Sequence, residues 1–287
     1  FNTSYDLNDD IMGYLTVSEG YRLGASNMIS LCPDPLPAGP NLCVFPGEDS
    51  YESDTSTNYE IGVHSRFGDS LILNGSIYYV DWKDPQLQSV SANGNLPIIT
   101  NGKGAESSGL EISAQYFISP DFSVSGAYAY TNAELSDDAY GLMCSPPPGE
   151  PVDYGPCAAY DGDRLPGTPE HQLYLAAHYE MPLSDGSQLA FDWSMSAQRN
   201  VITKTGKRDS GESLPSFALN NISTTWFKDA WTVSLYADNV FDIYAVTGVR
   251  TDRGYIREVG DFELRRYYQD MVRPRQVGLK FIYTFDE

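Results

Sequence analysis

Residues 122–131 read FSVSGAYAYT, and the side chains alternate in character from one position to the next. One set of alternate positions holds Phe122, Val124, Gly126, Tyr128 and Tyr130, and the set between them is serine, alanine and threonine. Successive side chains of a β-strand point to opposite faces, so this segment predicts a strand with one aromatic, apolar face and one small, polar face. Such alternation over about ten residues is typical of the strands of a transmembrane β-barrel.

The same period of two recurs along the chain, and no segment has a convincing helical period. We predict eleven strands, at about residues 1–7, 11–23, 58–67, 71–83, 107–118, 122–135, 170–183, 188–203, 214–227, 231–246 and 274–285. Tight turns rich in Asp, Gly, Ser and Pro join alternate pairs of strands. The other connections are long loops, at about residues 24–57, 84–106, 136–167, 204–213 and 247–272. Outer-membrane barrels have short periplasmic turns and long extracellular loops, so we place these loops outside the cell.

The strand count predicts that the chain is part of a larger barrel. Bacterial outer-membrane barrels have even numbers of strands, and a first strand of about seven residues is short for a membrane span. The chain starts at Phe1 without the basic and apolar regions of a signal peptide. The last strand, VGLKFIYTF at 277–285, alternates and ends in an aromatic residue, as a closing strand does. We therefore expect residues 1–287 to be the C-terminal part of a barrel domain.

Composition excludes some classes of protein. Aromatic residues make up 13% of the chain although the mean hydropathy is only −0.35, which suits strands with one apolar face. The net charge of −21 disfavours a nucleic-acid partner, and residues 1–167 alone carry 5 basic and 23 acidic side chains. A soluble β-sandwich is the alternative fold. Its core would be rich in Val, Ile and Leu, whereas here Tyr, Trp and Phe lie near strand ends, where they suit membrane interfaces.

The four cysteines form two local pairs, each in a Pro- and Gly-rich loop. We expect disulfides between Cys32 and Cys43 and between Cys144 and Cys157, as in an oxidising compartment. Four unrelated buried thiols are the alternative. Because both pairs fall in predicted extracellular loops, disulfides there would persist.

Five stretches resemble the C-terminal barrel of TonB-dependent outer-membrane receptors, the iron-complex group in particular. They are YLTVSEGYRLG at 14–24, NYEIG at 58–62, AESSGLE at 105–111, LPGTPEH at 165–171 and DNVFDIY at 238–244. The resemblance implies a monomeric 22-stranded barrel whose last eleven strands are these, with the plug and the TonB box upstream of Phe1. It implies TonB as a partner through that plug. The last motif, with Asn239, Phe241, Asp242 and Tyr244, is expected to hold a strand end rather than to contact a ligand.

Residues for covalent chemistry are not evident in the sequence. There is no phosphate-binding glycine loop and no Gly-x-Ser-x-Gly motif, and the three histidines lack zinc-ligand spacing. We expect no Ser/His/Asp set to converge on one face, and therefore no enzyme, no metal and no cofactor. A calcium site at Asp137, Asp138, Asp161 and Asp163 is the alternative kept open.

Basic residues concentrate in the last two long loops. Ten of the 18 lie in these loops or close to their ends: Arg199, Lys204, Lys207, Arg208, Arg250, Arg253, Arg257, Arg265, Arg266 and Arg273. Tyr255, Tyr267 and Tyr268 are interleaved with them. Arginine forks bind carboxylates and catecholates, and aromatic rings stack on planar ligands. We expect an anionic metal-chelate ligand to bind at Arg250, Arg253, Tyr255, Arg257, Arg265, Arg266, Tyr267 and Tyr268. Contact with lipopolysaccharide, or pairing with acidic residues of the same loop, is the alternative.

The expected function is TonB-dependent uptake of a scarce ligand, such as a ferric siderophore, across the outer membrane. Two alternatives remain open. One is a passive porin-like or surface-binding barrel, which an upstream TonB box would exclude. The other is TonB-dependent uptake of cobalamin, a glycan or an aromatic compound.

Overall fold

The computed structural model describes residues 1–35, 43–91, 96–142, 157–207, 212–259 and 262–285. It describes the backbone alone at residues 90, 141, 157, 207, 249–259 and 262–268. No helix in the described part of the chain is long and apolar enough to cross a membrane.

The described strands, in chain order, are β1 (Asn2–Asn8), β2 (Ile11–Arg22), β3 (Ala25–Ser26), β4 (Ser50–Tyr51), β5 (Asp54–Phe67), β6 (Leu71–Lys83), β7 (Gln86–Val90), β8 (Pro97–Asn101), β9 (Gly104–Ser119), β10 (Phe122–Leu135), β11 (Ala139–Leu142), β12 (Cys157–Ala159), β13 (His171–Pro182), β14 (Gln188–Gln198), β15 (Val201–Ile202), β16 (Ser213–Leu214), β17 (Phe217–Lys228), β18 (Trp231–Asp238), β19 (Val246–Val259), β20 (Phe262–Met271) and β21 (Gln276–Tyr283). A one-turn 3-10 helix spans Thr205–Lys207.

Eleven of these strands form one antiparallel sheet in the order β1-β2-β5-β6-β9-β10-β13-β14-β17-β18-β21. Each long strand pairs with the next long strand along the chain, so the predicted succession of eleven barrel strands is confirmed. The last but one is shorter than expected and ends at Asp238 instead of 246. Asn239 and Asp242 have φ angles of 49° and 53°, which leave the extended region and end the strand.

The pairing register sorts the side chains of this wall onto two faces. The outward face carries large apolar residues that are exposed, such as the directly paired Ile61 (54%) and Ile77 (55%). The lumenal face carries polar and charged residues, among them Glu60, Glu111 and Asp192. An exposed apolar band on one face and a polar opposite face are what a barrel wall in lipid requires.

Three lumenal tyrosines lie over glycines of the neighbouring strand. The directly paired residues are Tyr14 with Gly62, Tyr78 with Gly109, and Tyr236 with Gly278. A Cβ atom added at Gly62 would lie 2.5 Å from the ring of Tyr14, so the ring would have to move to accept it. Aromatic rings that cover cross-strand glycines help to fix strand register.

The long connections predicted on the extracellular side contain short strands, which the sequence analysis did not identify. The segment between β6 and β9 and the segment between β10 and β13 supply a four-stranded sheet in the order β12-β11-β7-β8. The segment between β2 and β5 adds the hairpin β3–β4. These six short strands are called the extracellular cap. Apolar side chains of the cap and of the adjoining ends of the wall strands form a buried cluster: Ala105, Leu135, Ala139, Leu142 and Ala159, flanked by Trp82, Leu87 and Leu165.

Candidate functional site

A buried carboxylate joins the cap to the wall. Asp54, at the start of β5, is 2% exposed and accepts hydrogen bonds from the guanidinium of Arg22 at the end of β2. It also accepts from Trp82 Nε1 at 3.1 Å and from the backbone N–H of Gln86 at 3.2 Å. The Arg22 guanidinium lies 5.2 Å from the Trp82 ring centroid. The Asp54 side chain therefore connects the wall strands β2, β5 and β6 to β7 of the cap.

Polar side chains also connect one cap segment to another. The side-chain oxygen of Asn27 accepts a hydrogen bond from the Ile99 N–H at 2.8 Å. The side-chain NH2 group of Asn27 donates a hydrogen bond to the Ile99 carbonyl at 2.9 Å. The Gln86 amide donates to the carbonyls of Leu23 and Glu52. Side-chain hydrogen bonds thus connect the segment around β3 and β4 to β7 and β8 within the cap.

The predicted disulfide between Cys32 and Cys43 is present, between β3 and β4. The backbone beside it is paired as well, because the Cys32 N–H donates to the Val44 carbonyl at 2.8 Å. Cys144 and the side chain of Cys157 lie outside the described residues, so the second disulfide stays a prediction.

The aspartates considered for calcium are held by turn hydrogen bonds. Asp138 accepts from the backbone N–H of Asp161 at 3.1 Å and from the Tyr140 hydroxyl at 2.8 Å. These bonds lower the pKa of Asp138 and raise that of Tyr140. Asp163 accepts from the Tyr160 N–H at 2.7 Å. Within the described residues, no three acidic, histidine or cysteine side chains form a group that could hold a metal ion.

The arginine- and tyrosine-rich segment is a β-hairpin rather than the predicted loop. The backbones of β19 and β20 pair Arg250 with Tyr268 and Tyr255 with Arg265. In these two pairs an arginine position lies opposite a tyrosine position. The side chains of Arg250, Arg253, Tyr255, Arg257, Arg265, Arg266, Tyr267 and Tyr268 lie outside the described residues, so their role in ligand binding stays a prediction.

The Asn-Val-Phe-Asp motif forms a turn after β18. The buried Asn239 side chain accepts from the Ile243 N–H at 2.8 Å and donates to the carbonyls of Ile243 and Arg273. Asp242 accepts from the Arg275 N–H at 2.8 Å, just before β21. Both polar residues thus fix the path of the chain at the base of the hairpin. Phe241 and Tyr244 are exposed, and the Tyr244 hydroxyl lies 3.4 Å from Gln269 Oε1.

A serine, a histidine and an aspartate do converge on the lumenal face, contrary to the sequence-based expectation. His178 Nδ1 lies 2.7 Å from Asp192 Oδ1, and Ser223 Oγ donates to Asp192 Oδ2 at 3.1 Å. The other ring nitrogen of His178 contacts Glu180 at 3.1 Å. Because the serine binds the carboxylate and not the imidazole, the order of contacts is not that of an activated nucleophile.

A second lumenal group, which the sequence reading missed, lines a concavity of about 520 Å³. The Tyr14 hydroxyl donates to Glu60 at 2.5 Å, the Tyr14 ring stacks on His64, and His64 Nδ1 lies 3.0 Å from Asn74. Alternation places each of these residues on the polar face. Their mutual contacts depend on the register of three strands, which the sequence does not state.

A family described as "TonB dependent receptor-like, beta-barrel" matches residues 1–240. Among curated protein sequences none matches this chain. The ferric yersiniabactin uptake receptor FyuA from Yersinia pestis shares the fold with a TM-score of 0.70 and 19% identity, over 99% of this chain and 37% of FyuA. The siderophore receptor PiuA from Acinetobacter baumannii gives 0.67 and 13% identity, over 98% of this chain and 34% of PiuA. The copper transporter OprC gives 0.66 and 14% identity, over 99% of this chain and 39% of OprC. The chain therefore spans little more than a third of each solved structure.

Proposed function

Because the chain belongs to the TonB-dependent receptor-like β-barrel family, we propose that it forms part of the wall and extracellular cap of a receptor for TonB-dependent uptake of a scarce ligand. As a member of that family it is a multi-pass β-barrel of the outer membrane. The ligand that fits best is an anionic metal chelate, such as a ferric siderophore. No covalent chemistry is required, since the receptor captures the ligand and passes it inward.

The observation that carries this proposal is the β19–β20 hairpin. It places five arginines and three tyrosines within residues 250–268, on the side of the wall where the cap lies. Guanidinium groups form paired, charge-assisted hydrogen bonds with carboxylates and catecholates, and tyrosines supply flat contact area. The names of FyuA and PiuA, which refer to iron chelates, are consistent with this ligand class.

The partners follow from the same proposal. Residues 1–287 would be the C-terminal part of the barrel domain of a monomeric receptor. The chain matches 37% of FyuA, which supports only that it corresponds to part of such a receptor. TonB would act through a plug segment elsewhere in the receptor, and lipopolysaccharide and outer-membrane lipid would surround the wall. Uptake of a different ligand class is the second candidate, because the copper transporter OprC shares the fold almost equally well.

Charge reversal in the hairpin tests the ligand class. The double substitution Arg253→Glu and Arg257→Glu is expected to reduce uptake of the ferric chelate by about tenfold or more, since each lost charge-assisted hydrogen bond removes about 1.5–3 kcal/mol. The measurement is uptake of iron-55 chelates by cells of a receptor-deletion strain that express the variant. The amount of receptor at the cell surface is quantified by immunoblot.

Lys103→Glu is the matched control, because it reverses a charge between β8 of the cap and β9 of the wall, outside the hairpin. Unchanged uptake of every chelate tested by the double variant would show that the hairpin does not select the ligand.

A further inference from the structure

The outward face of the wall carries a cationic position, without an acidic partner among the described residues, where β13 and β14 reach the upper edge of its apolar band. Tyr130 of β10 pairs directly with His171 of β13, and the N–H of Arg199 donates to the His171 carbonyl at 2.9 Å. Arg199 follows β14 by one residue, and the alternation of the ladder places it on the outward face beside His171. The outward row directly below holds Leu173 and Ala197, which are paired with each other. Tyrosines at the upper edge of an apolar band mark the membrane interface.

The side chains at this position are available for a ligand. Arg199 is exposed, and in the described part of the chain no carboxylate forms an ion pair with it. By contrast, Arg164 is 19% exposed and is used internally, by Glu170 and by the Thr168 carbonyl. His171 Nδ1 lies 2.7 Å from the Tyr128 hydroxyl, which fixes the ring and leaves Nε2 free of any described hydrogen bond.

The surrounding charge favours an anion at this position over the outward rim of β2–β10. Residues 199–208 contain four basic residues and no acidic residue, in a chain of net charge −21. On the outward face of β2, β6, β9 and β10, four acidic residues lie in one register row: Glu19, Asp81, Glu106 and Glu134. The outward cation above them, Lys83, forms an ion pair with Asp81 at 3.7 Å. An anion in the outer leaflet is therefore repelled along β2–β10 and attracted at β13–β14.

We propose that Arg199 and His171, with Tyr130 beside His171 and Tyr128 in the row below, bind the phosphate of an anionic lipid headgroup in the outer leaflet, as lipopolysaccharide presents it. The guanidinium donates to phosphate oxygens, the imidazole Nε2 supplies a further donor, and the tyrosine rings lie against the first part of the lipid. The site is on the outward face, away from the lumen and the β19–β20 hairpin. Lipid binding at this site therefore does not depend on the proposed ligand uptake, and each can be tested without the other.

The test is lipid binding by the receptor purified from outer membranes in detergent, followed by native mass spectrometry. The probes are bis-phosphorylated lipid A and the same lipid after removal of its phosphates. The wild-type receptor is expected to bind the phosphorylated lipid about tenfold more tightly, and Arg199→Gln is expected to remove that difference. His171→Gln should weaken binding by a smaller factor. Lys280→Gln, which removes an exposed cation from the lumenal face of the same sheet, should bind as wild type does.

Two results would overturn the proposal. One is that Arg199→Gln, shown to be folded by its heat-modifiable electrophoretic mobility, still prefers the phosphorylated lipid. The other is that inorganic phosphate displaces lipid A at equal concentration, because the site would then be a small-anion site and not a lipid site.

Discussion

Asp54→Ala is expected to destabilise the folded receptor by about 3 kcal/mol, because it removes a buried carboxylate and leaves its donors without an acceptor. The guanidinium of Arg22, the indole N–H of Trp82 and the backbone N–H of Gln86 all donate to this side chain. Loss of the Asp54 carboxylate should therefore allow the cap to unfold locally before the wall does. Hydrogen exchange should therefore accelerate first at the amides of residues 86–101, and urea unfolding in lipid vesicles should report the total loss.

Asp81→Ala is the matched control. Asp81 lies on the outward face of a neighbouring strand, is 38% exposed at its side chain and has one weak ion pair with Lys83 at 3.7 Å. Exposed pairs of this kind contribute at most about 1 kcal/mol. Asp54→Asn keeps the size and part of the acceptor capacity, so its effect should fall between the two. The two substitutions can be compared by how much each lowers the free energy of unfolding. If Asp54→Ala and Asp81→Ala differ in this loss by less than about 0.5 kcal/mol, the Asp54 carboxylate does not join the cap to the wall.

Gly62→Ala is expected to destabilise the wall by about 2 kcal/mol, because the new methyl group would overlap the ring of Tyr14. The ring would have to move, and its hydrogen bond to Glu60 would be lost. In a Tyr14→Ala background the same substitution should be neutral or stabilise slightly, since alanine costs less backbone entropy than glycine in a strand. A double-mutant cycle on urea unfolding measures this coupling.

Gly109 provides the internal comparison for that cycle. An added Cβ there would meet both the ring of Tyr78 and the backbone carbonyl of Tyr130. Removing the Tyr78 ring should therefore leave Gly109→Ala destabilising, because the carbonyl cannot move aside. Equal costs of Gly62→Ala with and without the Tyr14 ring would contradict the packing described for this pair.

The wall strands could be predicted from the sequence because each strand is identified by the alternation of its own residues. Period-two alternation identifies a strand such as β10 without knowledge of its partners. The end of β18 was misplaced, since the positive φ angles of Asn239 and Asp242 follow from turn contacts with residues near β21. Asparagine and aspartate adopt that conformation more readily than other non-glycine residues, and this was the one available signal.

The cap could not be predicted in the same way. Its strands are two to five residues long and pair between different loops, as Leu142 of β11 does with Ser89 of β7. The donors around Asp54 come from positions 28 to 32 residues away in the chain. Such contacts depend on strand register and on the tertiary fold. The composition of these segments shows only that they are acidic and rich in turn-forming residues.

The central claim, energised uptake, is tested most directly by iron-limited uptake of ferric chelates in the source bacterium. Four strains are compared: wild type, a deletion of this receptor gene, a deletion of TonB, and the receptor deletion complemented in trans. The account predicts that at least one anionic ferric chelate enters only when both the receptor and TonB are present, and that complementation restores its uptake. Receptor-dependent uptake that continues without TonB would instead identify a passive barrel, and uptake of every chelate without the receptor would contradict the proposed ligand class.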